Sequence, residues 1–210
     1  MKAPSLRVCQ QKSLSQRGQY EKGGIGQRFR IFRDDRVFSL IENCSRVIDL
    51  GCGEGITLEE LLKRFPDKKC LGIDLSMEHL KTCKLYSLPV VRGDVRHLSL
   101  KGESADCCLL MDVIEHLDQP EKALEEAFNV LKPGGSLVLL FPNDRMFFLS
   151  RLIVFKFKEA FYDPGHVKRW NPKEMRGLLE KKGFKISRHM NLPFFFWPIS
   201  LYHLIQAHKR

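Results

Sequence analysis

The run Val47-Ile48-Asp49-Leu50-Gly51-Cys52-Gly53-Glu54-Gly55 constrains this chain more than any other stretch. An apolar segment reads as a buried strand and passes straight into a loop where three alternate positions lack a side chain. Glycine tolerates positive φ and close approach, so such a loop turns sharply and aims backbone amides at a ligand at the mouth of the next helix. That geometry suits a nucleotide-like cofactor. The spacing excludes two common ones. A dinucleotide fingerprint, G-x-G-x-x-G, needs glycine at position 56, where Ile56 stands. No Lys-Ser or Lys-Thr pair follows, so the phosphate-cradling P-loop also fails. A tight strand-to-helix turn without a ligand is the alternative, and the downstream sequence has to decide.

Leu71-Gly72-Ile73-Asp74-Leu75-Ser76 reads as a second apolar strand ending in an acid, one helical crossover after Asp49, as parallel neighbours require. Val90 to Val95 reads as a third strand and turn, and Ala105 to Asp112 as a fourth strand. Leu131 to Leu140 reads as a helix end, a Pro-Gly-Gly turn and a fifth strand. With acidic-x-Gly-x-Gly-x-Gly at its head, this series resembles the class I S-adenosylmethionine-dependent methyltransferases, of the Rossmann-like methyltransferase-11 type, over roughly residues 45–190. The resemblance implies an α/β fold, an open, doubly wound, mostly parallel sheet with helices on both faces. It also implies S-adenosylmethionine as cofactor and S-adenosylhomocysteine as product. Carried onto this sequence, it sets Asp49, Gly51, Cys52 and Gly53 against the donor. It gives Asp74, followed by Leu75, the ribose hydroxyls, a task that suits a carboxylate able to accept from two neighbouring hydroxyls. Asp94, between Gly93 and Val95, falls beside the adenine amino group, and Met111 completes the cofactor set.

Two closing strands are expected in this family. Asn171-Pro172-Lys173-Glu174 supplies a helix cap, a proline at the first helical position and a capping acid, and Gly183 ends that helix before a strand from Phe184 to Arg188. The last segment carries Pro193 and Pro198 and finishes in a helical pattern through Leu201, Leu204 and His208, which leaves the seventh strand in doubt.

At 210 residues the chain is long enough for one domain with a full core, read as residues 28–210, with an apolar cap inserted at about 143–170. Residues 1–27 read as a basic, flexible arm. From Phe29 to Ile41 apolar residues fall near helical spacing with arginines on the remaining face, and the resemblance makes such a leading helix a lid on the cofactor pocket. The seven cysteines form no C-x-x-C pair and no zinc spacing, and several sit in apolar strands, so they read as reduced core thiols in a cytoplasmic protein. Neither a secretory leader nor a bilayer-spanning stretch is legible. The net charge of +10 would attract nucleic acid or an anionic membrane surface without choosing between them.

The cap, Met146-Phe147-Phe148 through Lys158, is apolar and studded with cations, and Pro193-Phe194-Phe195-Phe196-Trp197-Pro198 repeats the theme. It reads either as a greasy acceptor mouth or peripheral membrane patch, or as a helix packed on the sheet or a dimer face. A second constellation is Asp112-Val113-Ile114-Glu115-His116. If a helical turn begins at Asp112, residues 112, 115 and 116 share one face, since positions three and four apart are neighbours. With His166 in a distal loop, the set resembles the acid-x-x-Glu-His plus His arrangement of certain metal-assisted O-methyltransferases, although Asp112 stands where those often carry Glu. That resemblance would make Asp112, Glu115, His116 and His166 ligands of a divalent metal that gathers vicinal hydroxyls and lowers the pKa of the one attacked. In metal-free relatives Glu115 would brace the helix start. His116, His166 and Asp112 are the candidate general bases. The acceptor is then expected to be a small, apolar or amphipathic molecule. The other readings are a metal-assisted RNA 2′-O-methyltransferase, for which no aromatic-plus-basic RNA module is visible, and a non-catalytic cofactor-binding subunit.

Overall fold

The computed structural model describes residue 17 and residues 25–143, 167–193 and 200–210. In chain order these form α1 (Ile25–Ser39), β1 (Arg46–Leu50), α2 (Ile56–Arg64), β2 (Lys69–Asp74), α3 (Met77–Leu85), β3 (Val90–Arg92) and β4 (Ala105–Met111). A short 3-10 turn at Ile114–His116 leads to α4 (Pro120–Val130), β5 (Leu131–Pro142), α5 (Pro172–Lys181), β6 (Phe184–Leu192) and β7 (Tyr202–Lys209). The strands make one seven-stranded sheet in the order β3-β2-β1-β4-β5-β7-β6. Strands β1 to β5 pair in parallel, and β7 lies antiparallel between β5 and β6. The order reverses between β1 and β4, so their carboxyl ends open on the crevice where ligands of open α/β sheets bind.

Both faces of the sheet are covered, which is why the central strands read as continuous apolar runs rather than alternating ones. Within each strand the pleat still sorts side chains. Leu137, Leu139 and Phe141 point to one core with Leu124 and Ala127 of α4 and Met175 and Leu179 of α5. Val138 and Leu140 point to the other, with Val37 and Ile41 around the end of α1 and Leu61 of α2. Each side chain so buried contributes roughly 1.5–3 kcal/mol relative to exposure.

The C-terminal segment departs from the helical expectation. Residues 203–207 are all buried, because an interior strand between β5 and β6 is covered on both faces. Leu204 then packs on the α1 side and Ile205 on the α5 side. His203 and Gln206 are buried along with Leu204, Ile205 and Ala207, so the run shows no polar-apolar alternation and spacing alone cannot tell strand from helix in it. The seventh strand is present, and Pro193 lies beyond the end of β6. The fifth strand also begins earlier than the Pro-Gly-Gly turn suggested. Leu131 already pairs with Ala105, the register shifts while Gly134 takes φ +74°, and the ladder resumes at Ser136 opposite Cys107.

Other local expectations hold. Asn171 caps α5 by accepting from the Glu174 amide at 2.9 Å, with Pro172 at the first helical turn. The leading helix forms, but Arg33 on its supposedly outward face is buried at 6 % exposure together with Asp34 at 5 %. The cap residues 144–166, with Met146 to Lys158 and His166, and the aromatic run 194–198 lie outside the described residues. Among the described residues no helix is long and apolar enough to cross a membrane.

Candidate active site at the ends of β1, β2 and β4

Strand β1 ends at Leu50, and Gly51, Gly53 and Gly55 then take φ of 81°, 54° and 74°. All three lie in the left-handed region, where a Cβ is strained. Two of them also lack room. A Cβ at Gly51 would lie 2.5 Å from Val113 Cγ2, and one at Gly55 2.5 Å from Leu88 Cδ1. The loop is fixed by backbone rather than by Asp49. Gly51 and Cys52 donate to Ile73 O at 2.7 and 3.0 Å, and Gly53 donates to Asp74 Oδ2 at 2.8 Å. The thiols of Cys52 and Cys83 both reach Gly53 O, at 3.8 and 3.3 Å. Val95, at 6 % exposure, and Met111, at 9 %, pack inside near the strand ends, whereas Leu75 is half-exposed.

Asp74, at the end of β2, accepts from Gly53, from the Ser76 amide at 2.8 Å and from His79 Nδ1 at 3.3 Å. Burial alone would raise its pKa, but the bonds from His79, Ser76 and Gly53 outweigh it and hold the carboxyl below its ordinary value. Asp49 is the opposite case. At 3 % exposure, with Asp74 and Asp34 nearby and Arg33 opposing them, it is pushed up to about 7. Asp94 is gripped by Arg96, whose Nε and second guanidinium nitrogen reach it at 2.9 and 2.7 Å and which also pairs with Asp118. Gly93 lets this turn lie close to β2, since a Cβ there would meet Ile73 Cγ2 at 2.9 Å.

The turn after β4 does not place Asp112, Glu115 and His116 on one face. Asp112 takes φ +56°, so no helix can begin there, and the 3-10 turn starts only at Ile114. The consequence is divergence: Asp112 pairs with Arg33 at 2.9 Å, Glu115 is buried at 2 % exposure, and His116 is exposed. The Glu115 carbonyl accepts from the amides of Val167 and Lys168 at 2.9 and 3.2 Å. Among the described residues no group of three His, Cys, Asp or Glu side chains is gathered to hold a metal. The residues that are described therefore do not fit the metal set read from the sequence, and His166, its fourth member, is outside them.

What the sequence did not disclose is a buried cation at the mouth of the site. Arg33 pairs with Asp34 at 2.8 Å and with Asp112, and its guanidinium lies 5.9 Å from the Tyr202 ring, itself stacked on Phe29 at 5.7 Å. Burial opposes its charge, but Asp112 and Asp34 outweigh that and keep it protonated. Arg17, in the segment read as a loose arm, is likewise buried. Its backbone amide donates to Glu54 Oε2 and its Nε to Glu54 O, both at 3.0 Å, and its guanidinium lies 3.6 Å over Tyr86. The signal for Arg33 was the adjacent Asp34; for Arg17 there was none.

A family model described as a methyltransferase domain matches residues 48–139, from the glycine loop to β5. The 2-methyl-6-phytyl-1,4-hydroquinone methyltransferase of Arabidopsis thaliana is 30% identical over 150 residues, covering 63% of this chain and 44% of that protein. The mitochondrial ubiquinone biosynthesis O-methyltransferase of Homo sapiens is 29% identical over 155 residues, covering 67% of this chain and 42% of that one. The chain thus spans less than half the length of either relative. A solved S-adenosylmethionine-dependent methyltransferase from Thermotoga maritima shares the fold at a TM-score of 0.70 and 23% identity, over 91% of this chain and 95% of that one. The glycine loop, fixed at the switch point of such a sheet, lies inside the segment that matches the methyltransferase domain, and the fold is the Rossmann-like one shared with solved S-adenosylmethionine-dependent methyltransferases.

Proposed function

We propose that the chain transfers the methyl group of S-adenosylmethionine to a small amphipathic acceptor. The observation that carries the donor half is the loop of three positive-φ glycines, pinned by Ile73 and Asp74 at the sheet's switch point within the methyltransferase domain. The acceptor half is supported by relatives named for a hydroquinone and for O-methylation in ubiquinone biosynthesis.

The cofactor supplies a methyl group already activated by its sulfonium charge. The protein's task is then positional: to hold nucleophile, carbon and leaving sulfur in line and to exclude water. In this reading the backbone of Gly51 to Gly55 takes the methionine portion and the Asp49 carboxylate faces its positive charge. Asp74 takes the ribose hydroxyls. Its oxygens accept from Gly53, Ser76 and His79, and a carboxylate has about four lone-pair sites. Asp94 and Val95 take the adenine. Asp112 is committed to Arg33, so its role is to fix α1 over the site rather than to remove a proton.

Calorimetry with S-adenosylhomocysteine tests the donor half. Asp74→Ala should weaken binding by about a hundredfold or more, and Asp74→Asn, which keeps one acceptor oxygen, by less. Wild-type affinity in both variants would remove Asp74 from the cofactor site.

A further inference from the structure

On the α5 face of the sheet, where β5, β7 and β6 end toward the site, lies a cavity of about 770 Å³ lined by Asn143, Trp170, Glu174, His189, Asn191 and His203. Its size is that of a small-molecule site, about 300–1,000 Å³. His189, Asn191 and His203 reach it together because the antiparallel register sets Asn191 opposite His203 and His189 opposite Ile205. His203 is 1 % exposed, its ring 5.2 Å from that of Phe141 and 5.7 Å from that of His189. Its Nδ1 lies 2.9 Å from Asn191 Oδ1. An amide oxygen only accepts, so Nδ1 carries the proton and Nε2 is left as an acceptor. Among the described residues two further ring nitrogens, Trp170 Nε1 and His189 Nε2, are buried without a hydrogen-bond partner. Trp170 itself is 7 % exposed. A buried polar group without a partner costs on the order of 1–3 kcal/mol. The lining therefore offers an indole N–H donor and imidazole nitrogens that a ligand could satisfy.

The same lining disfavours an anion. Burial lowers the pKa of both imidazoles, that of His203 to about 4, so the floor is uncharged at neutral pH. At the N-terminus of α5 Asn171 already takes the Glu174 amide and Pro172 has none to give, which leaves fewer donors for an anion. Arg169 and Lys173 on the rim are offset in part by Glu174. A flat, neutral ligand with hydroxyl groups matches indole, imidazole and carboxamide better than a phosphate or carboxylate would. The cavity is also tied to the donor site. Asn143 directly follows β5, whose Leu140 carbonyl holds the Asp112 amide, and the wall leading to Trp170 hangs on the Glu115 carbonyl through Val167 and Lys168.

We infer that this cavity seats the hydroxylated aromatic ring of the methyl acceptor, with its hydroxyls bonded to Trp170 Nε1, His189 Nε2 and His203 Nε2. This rests on the small-acceptor reading above and gives it a site and a ring chemistry. The test uses 2,3,5-trimethylhydroquinone as probe and the full chain saturated with S-adenosylhomocysteine. In wild-type protein the probe should shift the indole N–H resonance of Trp170, distinguished from Trp197 by its persistence in Trp197→Phe. His189→Phe and Trp170→Phe should each weaken probe binding about tenfold and raise KM for the methylated ring, with S-adenosylhomocysteine affinity unchanged. An unshifted Trp170 resonance, or a probe that binds both variants as tightly as wild type, would overturn the assignment. If S-adenosylhomocysteine fails to bind at all, the donor reading falls, and the Trp170 resonance measured without it still decides the cavity. If the chain methylates other acceptors while the probe leaves Trp170 untouched, the donor reading stands and the ring site falls.

Discussion

Asp49 and Asp74 sit one crossover apart at the ends of neighbouring strands, yet their surroundings drive them in opposite directions. Asp74 gathers two amides and an imidazole and is held ionised; Asp49 has burial and two neighbouring acids against it and is pushed up to about 7. A cofactor whose methionine end carries positive charge would return Asp49 to its carboxylate form. Binding should then release a proton below neutrality, and affinity should climb with pH between about 5 and 7, by at most tenfold per unit for one proton, before levelling. Titration calorimetry in buffers of different ionisation enthalpy reads that proton directly. Asp49→Asn should bind more weakly at pH 8 and lose the slope, and a slope retained in the variant would assign it to another group. The sequence placed Asp49 at the site by motif alone. It could not disclose that the loop amides go to the Ile73 carbonyl and the Asp74 carboxylate, because which groups meet across a parallel pair depends on register.

Among the elements, α1 shows how far a sequence pattern reaches. Its apolar spacing foretold a helix against the sheet, and Val37, Phe38 and Ile41 are buried there. Its arginines were placed outward, as charges usually are, and Arg33 broke that rule because Asp34 and Asp112 meet it inside. Such a pair is invisible to periodicity, since Asp112 comes from another element. Removing one partner of a buried ion pair leaves the other charge uncompensated, at a cost of about 3–5 kcal/mol. Arg33→Met should therefore lower stability in denaturant titrations by roughly that amount, and Arg33→Met with Asp34→Asn should recover part of it. If the double variant is no more stable than the single one, Asp34 is not the charge left stranded. The same limit applied to β7 and to the turn after β4. A run buried on both faces, polar His203 and Gln206 included, has no alternation to read, and the positive φ of Asp112, on which the divergence of Glu115 and His116 depends, leaves no mark on residue spacing.

For the whole molecule, several buried or half-buried groups among the described residues bear on how stability responds to pH between about 4 and 7, Asp34 beside Asp49 among them, and two pairs of these oppose one another. Asp49 is raised to about 7 from 3.8, chiefly by burial, and His79 is raised chiefly by its bond to Asp74. The folded state therefore binds protons more tightly at both, and their contribution is greatest at low pH and is lost as pH rises through the folded values. His203 is lowered from 6.5 to about 4 by burial and by His189, and His189 is lowered by burial and Arg176. There the folded state resists protons, and stability is present above 6.5 and lost as pH falls toward 4. For Asp49 and His203 each coupling is on the order of 3–4 kcal/mol. With opposite signs in nearly the same window, they should leave the cofactor-free protein almost level from pH 5 to 7. Ionising Asp49 by binding the cofactor removes one side of that balance. Chemical denaturation at saturating S-adenosylmethionine should then show stability falling on acidification across this range, the loss being largely abolished in His203→Gln. Cofactor-free Asp49→Asn should show the same acid loss as the bound wild type, because it too lacks the carboxyl that offsets His203. If the bound wild type stays level, or if Asp49→Asn and His203→Gln slope the same way, the two groups do not oppose each other. The flat profile would then have another origin.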